Sequence, residues 1–80
     1  MKFGEKLLTE RKRQEMFVQT LAKKCGTSRS YITLIENGKR LPGRKILPKM
    51  ASALGLETTT VLNWYLEDIS EKLKKDLKIS

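Results

Sequence analysis

Apolar residues recur at helical spacing along most of this chain, and no run alternates apolar with polar residues over a useful length. Five helices are therefore predicted and no strands. In the first, over about residues 3–13, Phe3, Leu7, Leu8 and Arg11 share a face, and the rest is charged. The second runs from about Phe17 to Lys24, with Val18, Leu21, Ala22 and Cys25 as its stripe and Gly26 as its stop. Thr27 or Ser28 caps a third helix over about 28–36, which buries Ile32 and Ile35, with Tyr31 beside them, and ends at Asn37-Gly38.

A loop, Lys39-Arg40-Leu41-Pro42-Gly43-Arg44-Lys45, follows, and its Pro and Gly exclude a continuing helix. The fourth helix starts near Ile46, with Pro48 tolerated in its first turn and Leu47, Met50, Ala51 and Leu54 turned inward. Thr58, Thr59 or Thr60 caps the fifth, which runs to about Leu77. Its stripe is Leu62, Leu66, Ile69, Leu73 and Leu77, with Val61, Trp64 and Tyr65 adding apolar area on neighbouring faces.

Eighty residues hold one domain, read as a globular body over about 3–66 and a long last helix over about 59–77. The charge is uneven. Residues 1–50 carry thirteen basic and four acidic side chains, and residues 51–80 carry four and five. A basic body with a near-neutral end implies a face that meets a polyanion. With no His and a single Cys, a His- or Cys-rich metal site, a catalytic relay and an internal disulfide are all excluded, and no cofactor is expected. The lone Cys fits a reducing cytoplasm, and no apolar run is long enough for a membrane span. Cys25 falls in a core stripe, so a buried small hydrophobe is favoured over a redox sensor. The carboxylates are scattered among Lys and Arg, which disfavours an enzyme. The few aromatics form no platform for RNA bases.

The informative segment is Leu21 to Gly38, LAKKCGTSRSYITLIENG. Two short helices flank a turn at Gly26. The second opens with small polar residues and an Arg, and its outer face carries Arg29, Ser30, Thr33 and Leu34. A helix that reads base edges needs such a face and an apolar back. The bland alternatives are that Arg29 is an ordinary surface residue and that Lys39, Arg40, Arg44 and Lys45 form a solvated loop. A cation at a helix start opposes the helix dipole, which mildly favours a role for Arg29.

The chain resembles the phage-repressor and Cro-type, or Xre-like, helix-turn-helix family over about residues 3–66. The matching residues are Leu21-Ala22, Gly26, Ser28-Arg29-Ser30, Ile32, Ile35-Glu36-Asn37-Gly38-Lys39-Arg40, Pro42, Met50-Ala51 and Ala53-Leu54-Gly55. Ser-Arg-Ser-Tyr-Ile is also similar to the small controllers of restriction–modification operons. The resemblance implies an all-α, compact five-helix repressor-like domain with an extended C-terminal helix. It implies a regulator that reads a pseudo-palindromic double-stranded operator as a homodimer. Arg29, Ser30, Thr33 and Leu34 would then face bases. Gln19, Ser28, Tyr31, Asn37, Lys39, Arg40 and Arg44 would contact phosphates. Arg11 and Glu36 would form an ion pair between the first and third helices.

Three positions depart from the family pattern. Val18 stands where a Gln is usual, with Gln19 next to it. Phe17 replaces the usual Ser or Thr cap, and Glu15 replaces the Gly that usually ends the first helix. The last helix has two readings. Its stripe covers the core as far as Leu66 and frays beyond, or Leu66, Ile69, Leu73 and Leu77 continue onto a second subunit. An antitoxin or other interaction module that holds a protein partner through this helix is the alternative function. The DNA-binding part of a larger regulator is a third.

Overall fold

In a computed structural model, which describes residues 2–78, the chain folds into α1 (Phe3–Arg13), α2 (Val18–Lys24), α3 (Arg29–Glu36), a single 3-10 turn (Arg44–Ile46), α4 (Leu47–Leu54) and α5 (Thr58–Asp76). There is no strand among the described residues. Helices α1 to α4 fall where the periodicity puts them, with two adjustments. Phe17 is the residue before α2 rather than its first, and the 3-10 turn leads into α4. Pro48 sits in the first turn of α4, where a missing N–H leaves no gap in the helix.

The core is built from Phe3, Leu7, Leu21, Ala22, Cys25, Ile32, Ile35, Leu47, Met50, Ala51, Leu54 and Val61. Burial pushes the Cys25 thiol up from its usual range, with the Lys49 ammonium pulling weakly the other way. Cys25 thus sits in the core as a small apolar side chain.

Helices α1 to α4 end alike, with a residue in the left-handed region and the following N–H returned to a carbonyl five residues back. At the end of α2, Gly26 has φ +68° and Thr27 N–H donates to Ala22 C=O. At the end of α1 the same position is Glu15, φ +54°, and Met16 N–H donates to Arg11 C=O at 3.0 Å. The missing glycine therefore leaves the turn's shape intact, at a cost of about 1–2 kcal/mol for a side chain in that region. Gln14 then donates to Leu54 C=O at 2.7 Å, which ties the end of α1 to the end of α4.

Helix α5 departs from the sequence expectation. Its N-cap is Glu57 and none of the three Thr residues, because Thr58 is already helical. The core face of α5 is Val61, Trp64, Tyr65 and Asp68. The Leu62, Leu66, Leu73 and Leu77 stripe is exposed, with Ile69 half-buried. At 3.6 residues per turn the two faces are centred roughly 130° apart around the helix. Leu62 and Leu66 are therefore turned away from the core rather than covering it, and Ile69 lies at the margin.

Three features fix α1 in this frame. The buried Asp68 carboxylate of α5 accepts from the Phe3 N–H at 3.0 Å, capping a helix whose own N-cap, Lys2, supplies no side-chain acceptor. The Phe3 ring meets Trp64 and Tyr65 edge-on, at 6.0 and 6.5 Å between centroids. At the other side, Gly4 lies against the end of α3 so closely that a Cβ there would be 2.1 Å from the Ile35 carbonyl oxygen. Gly4→Ala should therefore destabilise the fold by about 1–3 kcal/mol, the usual cost of overpacking. The helix propensity of Ala alone predicts a gain of about 1 kcal/mol. Urea unfolding decides between them, and a more stable variant would show that this close approach is not maintained.

Candidate nucleic-acid interface

Helix α3 has only eight residues, too short to be stable alone, so its neighbours must hold it. Ser28 caps it, its hydroxyl oxygen accepting from Tyr31 N–H at 3.1 Å. Ile32 and Ile35 anchor its back. Its far end is held by Glu36, which the structure brings together with Arg11. Arg11 Nε donates to Glu36 Oε2 at 2.7 Å, and Nη2 to Oε1 at 3.1 Å. The third guanidinium donor, Nη1, reaches the Met16 carbonyl at 2.7 Å, fixing the α1–α2 junction as well. Both side chains are mostly buried, 13% and 7% exposed.

The outer face of α3 carries Arg29, Ser30, Thr33 and Leu34, all exposed. Together they line a shallow depression of about 480 Å³. Four residues expected on one surface are thus gathered by one helix face. Asn37, Lys39, Arg40 and Arg44 are exposed in the segment that leaves α3. Arg29, Lys39 and Arg44 have no carboxylate partner among the described residues. Three ion pairs lie on α1 and its neighbours: Lys6 with Glu67, Arg13 with Glu10, and Arg11 with Glu36. Hydrogen bonds from Arg13 and Gln14 hold the Glu10 carboxyl below its usual range, and Lys6 does the same to Glu67.

Tyr31 has a structural partner that sequence reasoning missed. Gly43 N–H donates to its hydroxyl at 2.9 Å, and the Arg40 guanidinium lies 4.7 Å from its ring centroid. The ring is half-buried and pins the basic loop against α3. A loop glycine twelve residues on gives no local signal of this bond. Gln19 is exposed on α2, apart from the α3 depression, and Ser28 uses its oxygen as the cap. Phe17, before α2, is 77% exposed, an apolar ring where a polar cap was expected. Among the described residues no three His, Cys, Asp or Glu side chains cluster as metal ligands, and no helix is long and apolar enough to cross a membrane.

A short polar-faced helix, presented by a preceding helix across a glycine turn and flanked by unpaired cations, is a helix-turn-helix. A family model described as helix-turn-helix matches residues 7–61. The chain belongs to the Xre-like helix-turn-helix family of DNA-binding transcription regulators. It is 30% identical over 70 residues to the ImmF control region 10 kDa protein of Bacillus phage phi105, covering 88% of this chain and 78% of that one. The fold is similar to the restriction–modification controller C.AhdI from Aeromonas hydrophila, with a TM-score of 0.69 and 32% identity over 74% of this chain and 89% of that one. It is also similar to SinR, a master regulator for biofilm formation, in a structure with DNA (TM-score 0.68, 28% identity, 75% of this chain and 97% of that one). A structure of SinR with the SinI protein matches at TM-score 0.69 and 28% identity, over 95% of this chain and 78% of that one.

Helix α3 is held by a charge pair whose partners cannot be removed singly without cost. Glu36→Gln leaves the Arg11 charge short of its partner and should lower stability by about 3 kcal/mol. Arg11→Met combined with Glu36→Leu should recover most of that loss. Urea midpoints of the two variants test the pairing, and a Glu36→Gln protein as stable as the parent would show the pair to be energetically idle.

Proposed function

We propose that this protein is a sequence-specific double-stranded DNA-binding repressor or operon controller that reads a pseudo-palindromic operator. The observation that carries this reading is the α3 face. Arg29, Ser30, Thr33 and Leu34 stand outward on a helix fixed at both ends, and unpaired cations border it. In this reading α3 enters the major groove. Arg29 meets a guanine edge, and Ser30, Thr33 and Leu34 meet neighbouring bases. Asn37, Lys39, Arg40 and Arg44 contact phosphates alongside. Gln19 and the hydroxyl protons left to Ser28 and Tyr31 add further donors. Release of counterions from those phosphates makes affinity fall steeply with salt. The reading places the protein in the cytoplasm, where its operator is.

The free face of α5 supports a homodimer. Leu66, Leu73 and Leu77 are exposed and Ile69 half-buried, on a face of the helix turned away from the core. Burying a Leu is worth about 1.5–3 kcal/mol, so several on one stripe favour a covered state. Two copies joined there read half-sites about 34 Å apart, one helical turn of DNA. The same face favours a second reading, in which a different protein covers α5, as an antitoxin's partner would. The structural likeness to SinR in its complex with SinI supports keeping it.

Selection from a random duplex library at near-physiological salt tests the main reading. A two-fold motif with half-sites one turn apart is expected, and Arg29→Ala should weaken binding to it by about 1–3 kcal/mol. Salt-sensitive binding without any enriched sequence would sink it. The dimer is checked by sedimentation equilibrium. The parent chain should be dimeric and Leu66→Glu/Leu73→Glu monomeric, and a parent that stays monomeric at high concentration would remove the α5 dimer.

A further inference from the structure

The reading face of α3 is not uniformly polar. Arg29 and Ser30 occupy its first turn. Thr33 and Leu34 follow four residues later, about 6 Å along the axis. Leu34 is 40% exposed, and among the exposed large apolar residues described it is the one on α3. It lies between Arg29, on the same helix face, and the basic segment that follows α3. A Leu there makes no hydrogen bond to a base edge and no contact of value with a phosphate.

The major groove offers few matches for such a side chain. Guanine presents two acceptors, adenine an acceptor and a donor, and cytosine a donor. Thymine alone adds an apolar group, its C5-methyl. Set against any other base, Leu34 strips water from a donor or acceptor without replacing the bond, which disfavours that base. Set against thymine, it buries a methyl group. We propose that Leu34 reads the C5-methyl of a thymine beyond the base met by Arg29 along α3. The half-site therefore has two chemically different ends, a hydrogen-bonded one under Arg29 and an apolar one under Leu34. This inference rests on the major-groove reading above and adds the chemistry of one base position to it.

The test uses the full chain and the duplex enriched from the random library. Each thymine in that duplex is replaced in turn by deoxyuridine, which removes the methyl and leaves every hydrogen-bonding group in place. Affinity is read by fluorescence anisotropy. One thymine per half-site should lose about four-fold on replacement. That figure is the value of one buried methyl, about 0.8 kcal/mol, converted at 1.4 kcal/mol per decade. Leu34→Ala, whose fold is checked by circular dichroism, should bind the thymine and uracil duplexes equally. Arg29→Ala should keep the four-fold ratio while binding both more weakly. An enriched duplex in which no thymine is sensitive would overturn the proposal, as would sensitivity that persists in Leu34→Ala. Either result would leave specific DNA reading standing. Failure to enrich any duplex would overturn both.

Discussion

One guanidinium holds helix α3, whose outer face is proposed to read DNA, in place. Arg11 uses its donors on two segments at once: the carboxylate of Glu36 at the end of α3, and the Met16 carbonyl at the α1–α2 junction. A planar fork with fixed donor directions does this, and a lysine ammonium does not. Partial burial of charge means that the pair contributes little net stability over a well-packed apolar alternative. Its value is geometric. Gly4 adds a second hold at the same end of α3, because the absent side chain lets α1 touch the Ile35 and Glu36 carbonyls. An eight-residue helix is thereby located by its neighbours, which is the condition for presenting side chains to base edges in one register.

The same economy governs charge. Nine acidic residues serve a chain with seventeen basic ones, and several of the nine are engaged away from the outer face of α3. Glu10 meets Arg13 and Gln14, Glu36 meets Arg11, Glu67 meets Lys6, and Asp68 caps a backbone N–H. What remains on α3 and its following loop is cation without a carboxylate partner among the described residues. Glu10 and Glu67 are held ionised by their donors, so their neutralising effect persists as pH falls into the carboxylate range. Both pairs lie at the surface, where solvent screening leaves them small as stability terms. Their consequence is local neutralisation on α1 and α5.

Much of this was legible in the sequence, for local reasons. Stripes at i, i+3 and i+4, a Gly or Asn-Gly stop and a Ser cap are signals contained within ten residues. They place α1 to α4 and the outer face of α3. Helix α5 misled the same reasoning because it is apolar on two sides. Leu62 to Leu77 make the longer and more regular stripe, yet Val61, Trp64 and Tyr65 make the one that packs. Asp68 was the available clue, since it lies seven residues after Val61 on that inner face, but its partner is sixty-five residues away. Gly4 reads as a weak helix former until its neighbour is known. The Tyr31–Gly43 bond depends on where a loop returns, which no periodicity encodes.

The two-sidedness of α5 gives the architecture its logic. Its inner face is joined to α1 through Asp68 and Phe3, and Lys6 and Glu67 add a surface link. Helix α1 is joined in turn to α3 through Gly4 and the Arg11–Glu36 pair. These are hydrogen bonds and close backbone contacts, which do not slide as a purely apolar interface does. The outer stripe of α5 and the outer face of α3 are therefore two ends of one connected frame. In the proposed reading, whatever covers the stripe is fixed relative to α3, so partner geometry on one side would set DNA geometry on the other. A helix with a single apolar face closes the core and stops there. Only one with a second face transmits the core's orientation outward.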